Sequence, residues 1–375
     1  MARAHEDEPG LEDKDNDFSN EHEVVDLYPH GYKPSMTKSK KTYILAIGLL
    51  CLVVLTSIIT FKLTSKSVSD GIQKDELARA RIAEQDYRDS IYARDTLQNY
   101  LLVGTITAYQ YRSRRDIIRN TWQKLYKRYN ATFRFIICRP PDEHLKEIEA
   151  ENATYGDIIG LYHLEENTQN ALTIKPIEFF KHVKANYPPY TYVSRIDDDA
   201  FLNMPAFWDE YLKPNLADPR RIIIARDMYP MNPAVPYPGG QFYTVSWDIL
   251  SLLIRLYEKN PLLTEYDDIL VGRLMSENRE WYRLVDMPCY KAFDYNPIVS
   301  DPNRWEHMVT EAAVNPHKMK TDEIFLEIAS MFDENGVNST AINEVNSRYD
   351  HDNTKGWTVA CSQNISFRIY TGKVL

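Results

Sequence analysis

The sequence predicts an α/β fold, a sheet with helices packed on both faces. Three observations point there. Short β-rich runs alternate with helix-period segments between residues 100 and 200. The composition is globular, with 43% hydrophobic and 26% charged residues, which excludes wholesale disorder. About 300 residues follow the one strongly apolar segment, ample for a single such domain with a C-terminal elaboration.

Before the first strand come three other segments. Residues 1–41 are an acidic tail. Up to Tyr32 it holds ten carboxylates against Arg3 and Lys14, so the rest of the chain is close to neutral in a total of −10. Such a tail cannot bury enough apolar surface to order itself. Thr42–Phe61 then runs for about 20 residues without a charge, the length of a bilayer span. It starts too far from Met1, and runs too long, for a cleaved signal, so it reads as a signal-anchor. Lys33, Lys38, Lys40 and Lys41 before it outnumber Lys62 and Lys66 after it, which places the tail in the cytosol. The sequons at Asn130, Asn152, Asn338 and Asn364 all follow the anchor, in keeping with a luminal C-terminal part and a type II topology. Residues 62–98 are a polar stem with a helical reading over Asp75–Arg94.

The domain, 99–375, opens with a strand at Leu101–Thr107 and a helix over Arg115–Tyr129. Strands follow at Thr132–Cys138, Asp157–Tyr162 and Tyr190–Ile196, separated by helices at Asp142–Glu151 and Thr173–Asn186. Cys138, Cys289 and Cys361 allow at most one disulfide, in any of three pairings. No dense basic run lies beyond the membrane flank, which argues against nucleic acid as a ligand.

Asp197-Asp198-Asp199 follows the Tyr190–Ile196 strand, at the carboxyl end where ligands collect in such sheets. Adjacent carboxylates repel, and Asp197 and Asp199 can converge on one hard divalent ion. A solvated turn capping the next helix is the other reading, and the triplet alone does not choose between them.

Five further segments accompany the triplet in order: YRSRRDIIRNTW (Tyr111–Trp122), ENATYGDIIGLYHLEENTQNALTIK (Glu151–Lys175), GQFYTVS (Gly240–Ser246), DDILVG (Asp267–Gly272) and HKMK (His317–Lys320). With YVSRIDDDAFLN (Tyr192–Asn203), the set resembles the β-1,3-glycosyltransferases of family 31 over roughly residues 100–320. The departures are Asp267 for the family's Glu, Arg195 for Lys, Ala200 for a larger apolar residue and Ala171 for Asn. None removes a carboxylate that the chemistry needs, and together they mark a divergent member.

The resemblance implies a GT-A type fold and inverting transfer of a sugar, galactose before N-acetylglucosamine, from a UDP-sugar to a glycan hydroxyl. It implies Mn²⁺ or Mg²⁺ held by Asp197, Asp199 and His317, with Asp268 as the general base. Asp197, Asp198, Lys175, Lys320, Arg115 and Arg119 are its candidate nucleotide contacts, although Arg119-Asn-Thr-Trp122 equally suits packing on the first helix. The implied setting is the Golgi membrane, with the endoplasmic reticulum as alternative. A silent glycan- or partner-binding relative has no need for the intact carboxylates. A metal-dependent hydrolase would want more ligands than nine scattered His residues supply.

Overall fold

The computed structural model describes residues 39–95, 99–167, 170–228, 236–261, 266–354 and 367–370. The acidic tail, Cys361 and the Asn364 sequon lie outside them. The chain divides into two units, Met1–Lys74 and Asp75–Leu375.

Helix α1 (Ser39–Asp95) covers the expected anchor and runs on through most of the expected stem. Within it, Leu52–Ile82 is long and apolar enough to cross a membrane, and none of that stretch is buried. Its hydroxyls are satisfied one turn back: Thr56 and Ser57 donate to the Val53 carbonyl, and Thr60 to that of Thr56. Such back-bonding lets a polar residue sit in an apolar helix without an unmet donor.

The domain then alternates strand and helix in the predicted order. β1 (Leu101–Ile106), α2 (Arg112–Ile118), β2 (Thr132–Arg139), α3 (Asp142–Tyr155), β3 (Ile158–Glu165), α4 (Lys175–Asn186) and β4 (Tyr192–Asp197) form its first half. The helix expected over Arg115–Tyr129 starts earlier, at Arg112, and is irregular: wider turns over Arg119–Gln123 follow α2, and a 3-10 turn closes Lys127–Tyr129. Thr121 leaves helical geometry, its hydroxyl bonding back to the Ile117 carbonyl in the manner that bends helices. The second half contains α5 (Met204–Phe207), β5 (Ile222–Met228), β6 (Tyr237–Ser246), α6 (Trp247–Lys259), α7 (Asp267–Glu277) and β7 (Tyr282–Asp286). A smaller C-terminal part completes the chain: β8 (Ala292–Tyr295), β9 (Glu306–His307), β10 (Asn315–His317), α8 (Asp322–Ala329), β11 (Phe332–Asp333), β12 (Gly336–Val337), α9 (Ser339–Asn346) and β13 (Phe367–Tyr370).

The main sheet runs β13-β7-β5-β6-β4-β1-β2-β3. It is mixed, because β6 lies antiparallel between β4 and β5, and β13 antiparallel to β7, while the other pairs are parallel. Both faces are covered. Leu101, Val103, Tyr192, Ile196, Ile222 and Ile224 face one core, which holds Ile118 and Trp122. Leu102, Val193, Ile223 and Ala225 face the other, with Phe179, Leu253 and Leu274. Burial on both sides is why these strands read as continuous apolar runs rather than alternating ones. Cys138 is a buried free thiol, and Cys289 is disulfide-bonded.

Candidate active site

β4 ends on Asp197, so the triplet turns off the carboxyl edge of the sheet. Residues 199–203 are pinned to the segment carrying His317. The Phe201 N–H donates to the Pro316 carbonyl (2.9 Å), the Asn203 N–H to that of Val314 (2.8 Å), and the Met319 N–H to that of Asp199 (3.1 Å). The Asn203 and Asn315 side-chain amides donate across the same seam, to the Ala313 and Phe201 carbonyls. Phe201 anchors the turn by stacking on Phe332 at 4.4 Å. Backbone pairing thus brings two segments more than 100 residues apart into one site.

Among the described residues, Asp197, Asp199 and His317 form a group whose ligand atoms lie within 4.8 Å of one another. His317 Nε2 is 3.2 Å from Asp199 Oδ1 and 3.7 Å from Asp197 Oδ2. The Lys320 ammonium reaches the other Asp199 oxygen. Burial opposes ionisation of Asp199, but His317 and Lys320 outweigh it and hold the carboxyl well below the usual range. Burial alone would lower His317; Asp199 and Asp294 instead hold it up to about 9. Asp197 is pushed up to about 7 by burial, against Arg195 and with Asp199 adding to the rise. Two carboxylates and an imidazole converging within 4.8 Å are a donor set that suits a small divalent cation. The residues fit the metal.

Asp267 and Asp268 open α7 with different surroundings. Asp267 is buried and committed: Oδ1 accepts from Arg195 (3.1 Å) and Oδ2 from the Tyr243 hydroxyl (2.9 Å). Asp268 is half-buried, and its Oδ1 accepts the Ile269 N–H at 2.7 Å. Burial, then the charge of Asp267, push it up to about 7. Two glycines make room for it. A Cβ on Gly240 would lie 2.9 Å from Asp268 Oδ2, and one on Gly272 would meet the Pro236 carbonyl at 2.6 Å as α7 packs on β6. Arg195 joins the two halves, with Nη1 on Asp197 (2.9 Å) and Nη2 on Asp267 (3.1 Å).

Arg115 and Arg119 both lie in ion pairs within the domain. Arg115 is fully buried, its donors on Glu151 (2.6 and 2.9 Å) and on the Ala108 and Tyr109 carbonyls. Arg119 is spent on Asp116, Glu151 and Asp157. Groups of the domain itself take most of the N–H donors of both guanidinia. The Lys175 ammonium is likewise buried, on Glu166 and the Thr107 carbonyl. Its reach toward the triplet is indirect, since the Thr107 hydroxyl donates to Asp198 Oδ2 at 2.6 Å.

Sequence reasoning misses Arg114, Asp294, Trp305 and Arg226. Arg114, not its neighbour, ties the site together, donating to the Asp198 carbonyl (3.1 Å), the Met319 carbonyl (2.9 Å) and Asp322 (2.8 Å). The Arg-Arg pair is visible in the sequence, but which member faces the triplet depends on the rotation of α2. Asp294 accepts from His317 Nδ1 at 2.7 Å, and no motif marks it.

Residues 113–226 match the family model described as galactosyltransferase. The chain is 34% identical over 205 residues to probable beta-1,3-galactosyltransferase 5 of Arabidopsis thaliana, covering 46% of this chain and 50% of that one. It is 25% identical over 252 residues to probable beta-1,3-galactosyltransferase 1 of the same plant, covering 57% and 62%. With beta-1,3-galactosyltransferase 4 of Rattus norvegicus it shares 20% over 220 residues, covering 46% and 58%. The chain thus spans from half to just under two thirds of the length of these relatives. Among solved structures, galactosyltransferase LgtC in complex with donor and acceptor sugar analogs aligns at TM-score 0.37 and 10% identity, covering 66% of this chain and 95% of that one.

Proposed function

We propose that this relative of the family-31 β-1,3-galactosyltransferases is itself an inverting hexosyltransferase, moving a sugar, galactose first, from a UDP-sugar to a glycan hydroxyl in β-1,3 linkage. One observation carries the reading. The Asp197–Asp199–His317 group and the half-buried, proton-retaining Asp268 are joined through Arg195 and Asp267 at one edge of the sheet. The length and apolarity of α1 support a membrane anchor, and the flanking lysines and the sequons beyond it favour a type II orientation with residues 99–375 in the Golgi lumen.

Asp197, Asp199 and His317 would hold Mn²⁺ or Mg²⁺. When bound, that ion supplies positive charge for the departing diphosphate. Asp268 takes the proton from the acceptor hydroxyl as the new glycosidic bond forms and the bond to UDP breaks, and a base that titrates near neutrality is suited to that. Asp267 keeps Asp268 basic while it is itself locked by Arg195 and Tyr243. Lys320 and Asp198 remain the candidates for nucleotide contact. Incubation of the full-length chain in detergent with a panel of UDP-sugars, Mn²⁺ and glycan acceptors tests the reading. Acceptor-dependent product supports it. Free sugar without acceptor dependence indicates a hydrolase, and no turnover a silent binder.

A further inference from the structure

We propose that Asp294 and Trp305 are the positioning residues of the metal centre, fixing the imidazole of His317 so that Nε2 faces Asp197 and Asp199. This rests on the reading of that trio as a metal site and extends it one layer outward. The small sheet β10-β8-β9 sets the geometry, because its parallel register pairs His317 with Asp294 and Asp294 with Glu306. Trp305, the residue before Glu306, holds Asp294 twice. Its carbonyl accepts the Asp294 N–H (3.2 Å), and its indole N–H donates to Asp294 Oδ2 (3.0 Å). Lys318 occupies the same oxygen at 2.8 Å. Oδ1 is thereby left for His317 Nδ1 at 2.7 Å. A carboxylate on one ring nitrogen fixes the tautomer that leaves the other with its lone pair free for a metal.

The indole is held in turn. The Arg226 guanidinium lies 3.5 Å from its ring centroid, and Arg226 Nη1 donates to the Ala292 carbonyl (3.1 Å) on the same strand as Asp294. Arg226 is 6% exposed and its Nε has no hydrogen-bond partner among the described residues. A buried cation on a ring face is stabilised by that face, and moving the ring would forfeit the contact. Arg226, Trp305, Asp294 and Ala292 so form a closed brace behind the ligand histidine.

The test is a Mn²⁺ titration of the full-length chain in detergent with saturating UDP, read by electron paramagnetic resonance. Imidazole ligation is followed by its ¹⁴N modulation. Asp294→Asn should weaken Mn²⁺ binding by about 10–100-fold and reduce the modulation, with the melting temperature within a few degrees of wild type. Trp305→Phe, which keeps a ring for Arg226 but loses the N–H, should weaken it by less. Wild-type affinity and full modulation in folded Asp294→Asn would overturn the proposal. Should that variant fail to fold, unchanged affinity in Trp305→Phe would overturn it. If wild type binds no Mn²⁺, or binds it no more tightly than Asp199→Ala does, the metal-site reading fails first and takes this inference with it.

Discussion

Replacing Asp268 by Asn should cost activity and gain stability at once. The carboxyl binds its proton with a midpoint of about 7 in the folded chain against 3.8 ordinarily. The ionised form is therefore disfavoured on folding by roughly 4 kcal/mol. Since the folded midpoint is the higher one, the destabilisation is absent below about pH 4, grows as the pH rises toward 7, and is complete above it. An uncharged Asn escapes it. Because Asp268 is half-buried and solvent screens part of the penalty, melts in detergent should show Asp268→Asn more stable than wild type by a smaller figure, about 1–3 kcal/mol at pH 8, and equal to it at pH 4. The same swap removes the base, and kcat should fall by about 10²–10⁴-fold. The acid limb of the wild-type rate profile, with its midpoint near 7, should vanish with it. UDP affinity should barely change, because no hydrogen bond ties Asp268 to the metal trio among the described residues. Burial raises Asp267 as well, but Asn there gives up the charge-assisted bonds to Arg195 and Tyr243, so Asp267→Asn should show no comparable gain in stability at pH 8 while retaining more activity. An active Asp268→Asn beside an inactive Asp267→Asn would refute the reasoning and put the assignment off by one residue.

Asp199→Ala should abolish Mn²⁺-stimulated turnover and weaken UDP binding in isothermal titration, with a native circular dichroism spectrum. In Gly240→Ala the new methyl would sit 2.9 Å from Asp268 Oδ2 and displace it, so kcat should drop by about 10²-fold with KM near wild type in steady-state assays. Arg115→Met leaves the buried Glu151 carboxylate with Arg119 as its near partner and should cost about 1–3 kcal/mol in denaturant titration, whereas Glu151→Leu, which takes a carboxylate from both arginines, should cost more. In sealed microsomes, added protease should remove only the N-terminal tail, and glycosidase treatment of the protein should raise its gel mobility.

The strand–helix order of the first half was legible because both sheet faces are buried, and the resulting apolar runs are hard to misread. The triplet was legible for the same reason: it ends a strand such as β4, with Asp197 as the last residue. Asp267 and Asp268 were visible as a pair, but their division of labour was not. It depends on Arg195 and Tyr243 approaching one carboxylate from β4 and β6 and leaving the other to the Ile269 N–H. Asp294 and Trp305 were illegible because their role comes from register in a three-stranded sheet of very short strands, too short to leave a pattern. Arg115 looked functional because a buried arginine and a ligand-binding one are spelled the same way. Only the depth of Glu151, itself buried in α3, separates them.

The proposed inverting transfer, with Asp268 as single base, fixes the stereochemistry of the product. The most direct measurement is the anomeric configuration of the product made by the full-length chain from UDP-galactose and a glycan acceptor, read from the proton coupling at the new linkage by NMR. A β-linked product, formed only with Mn²⁺ or Mg²⁺ and lost in Asp268→Asn, is the expected result. An α-linked product from the α-linked donor would mean retention, which a lone base cannot produce, and would contradict the account.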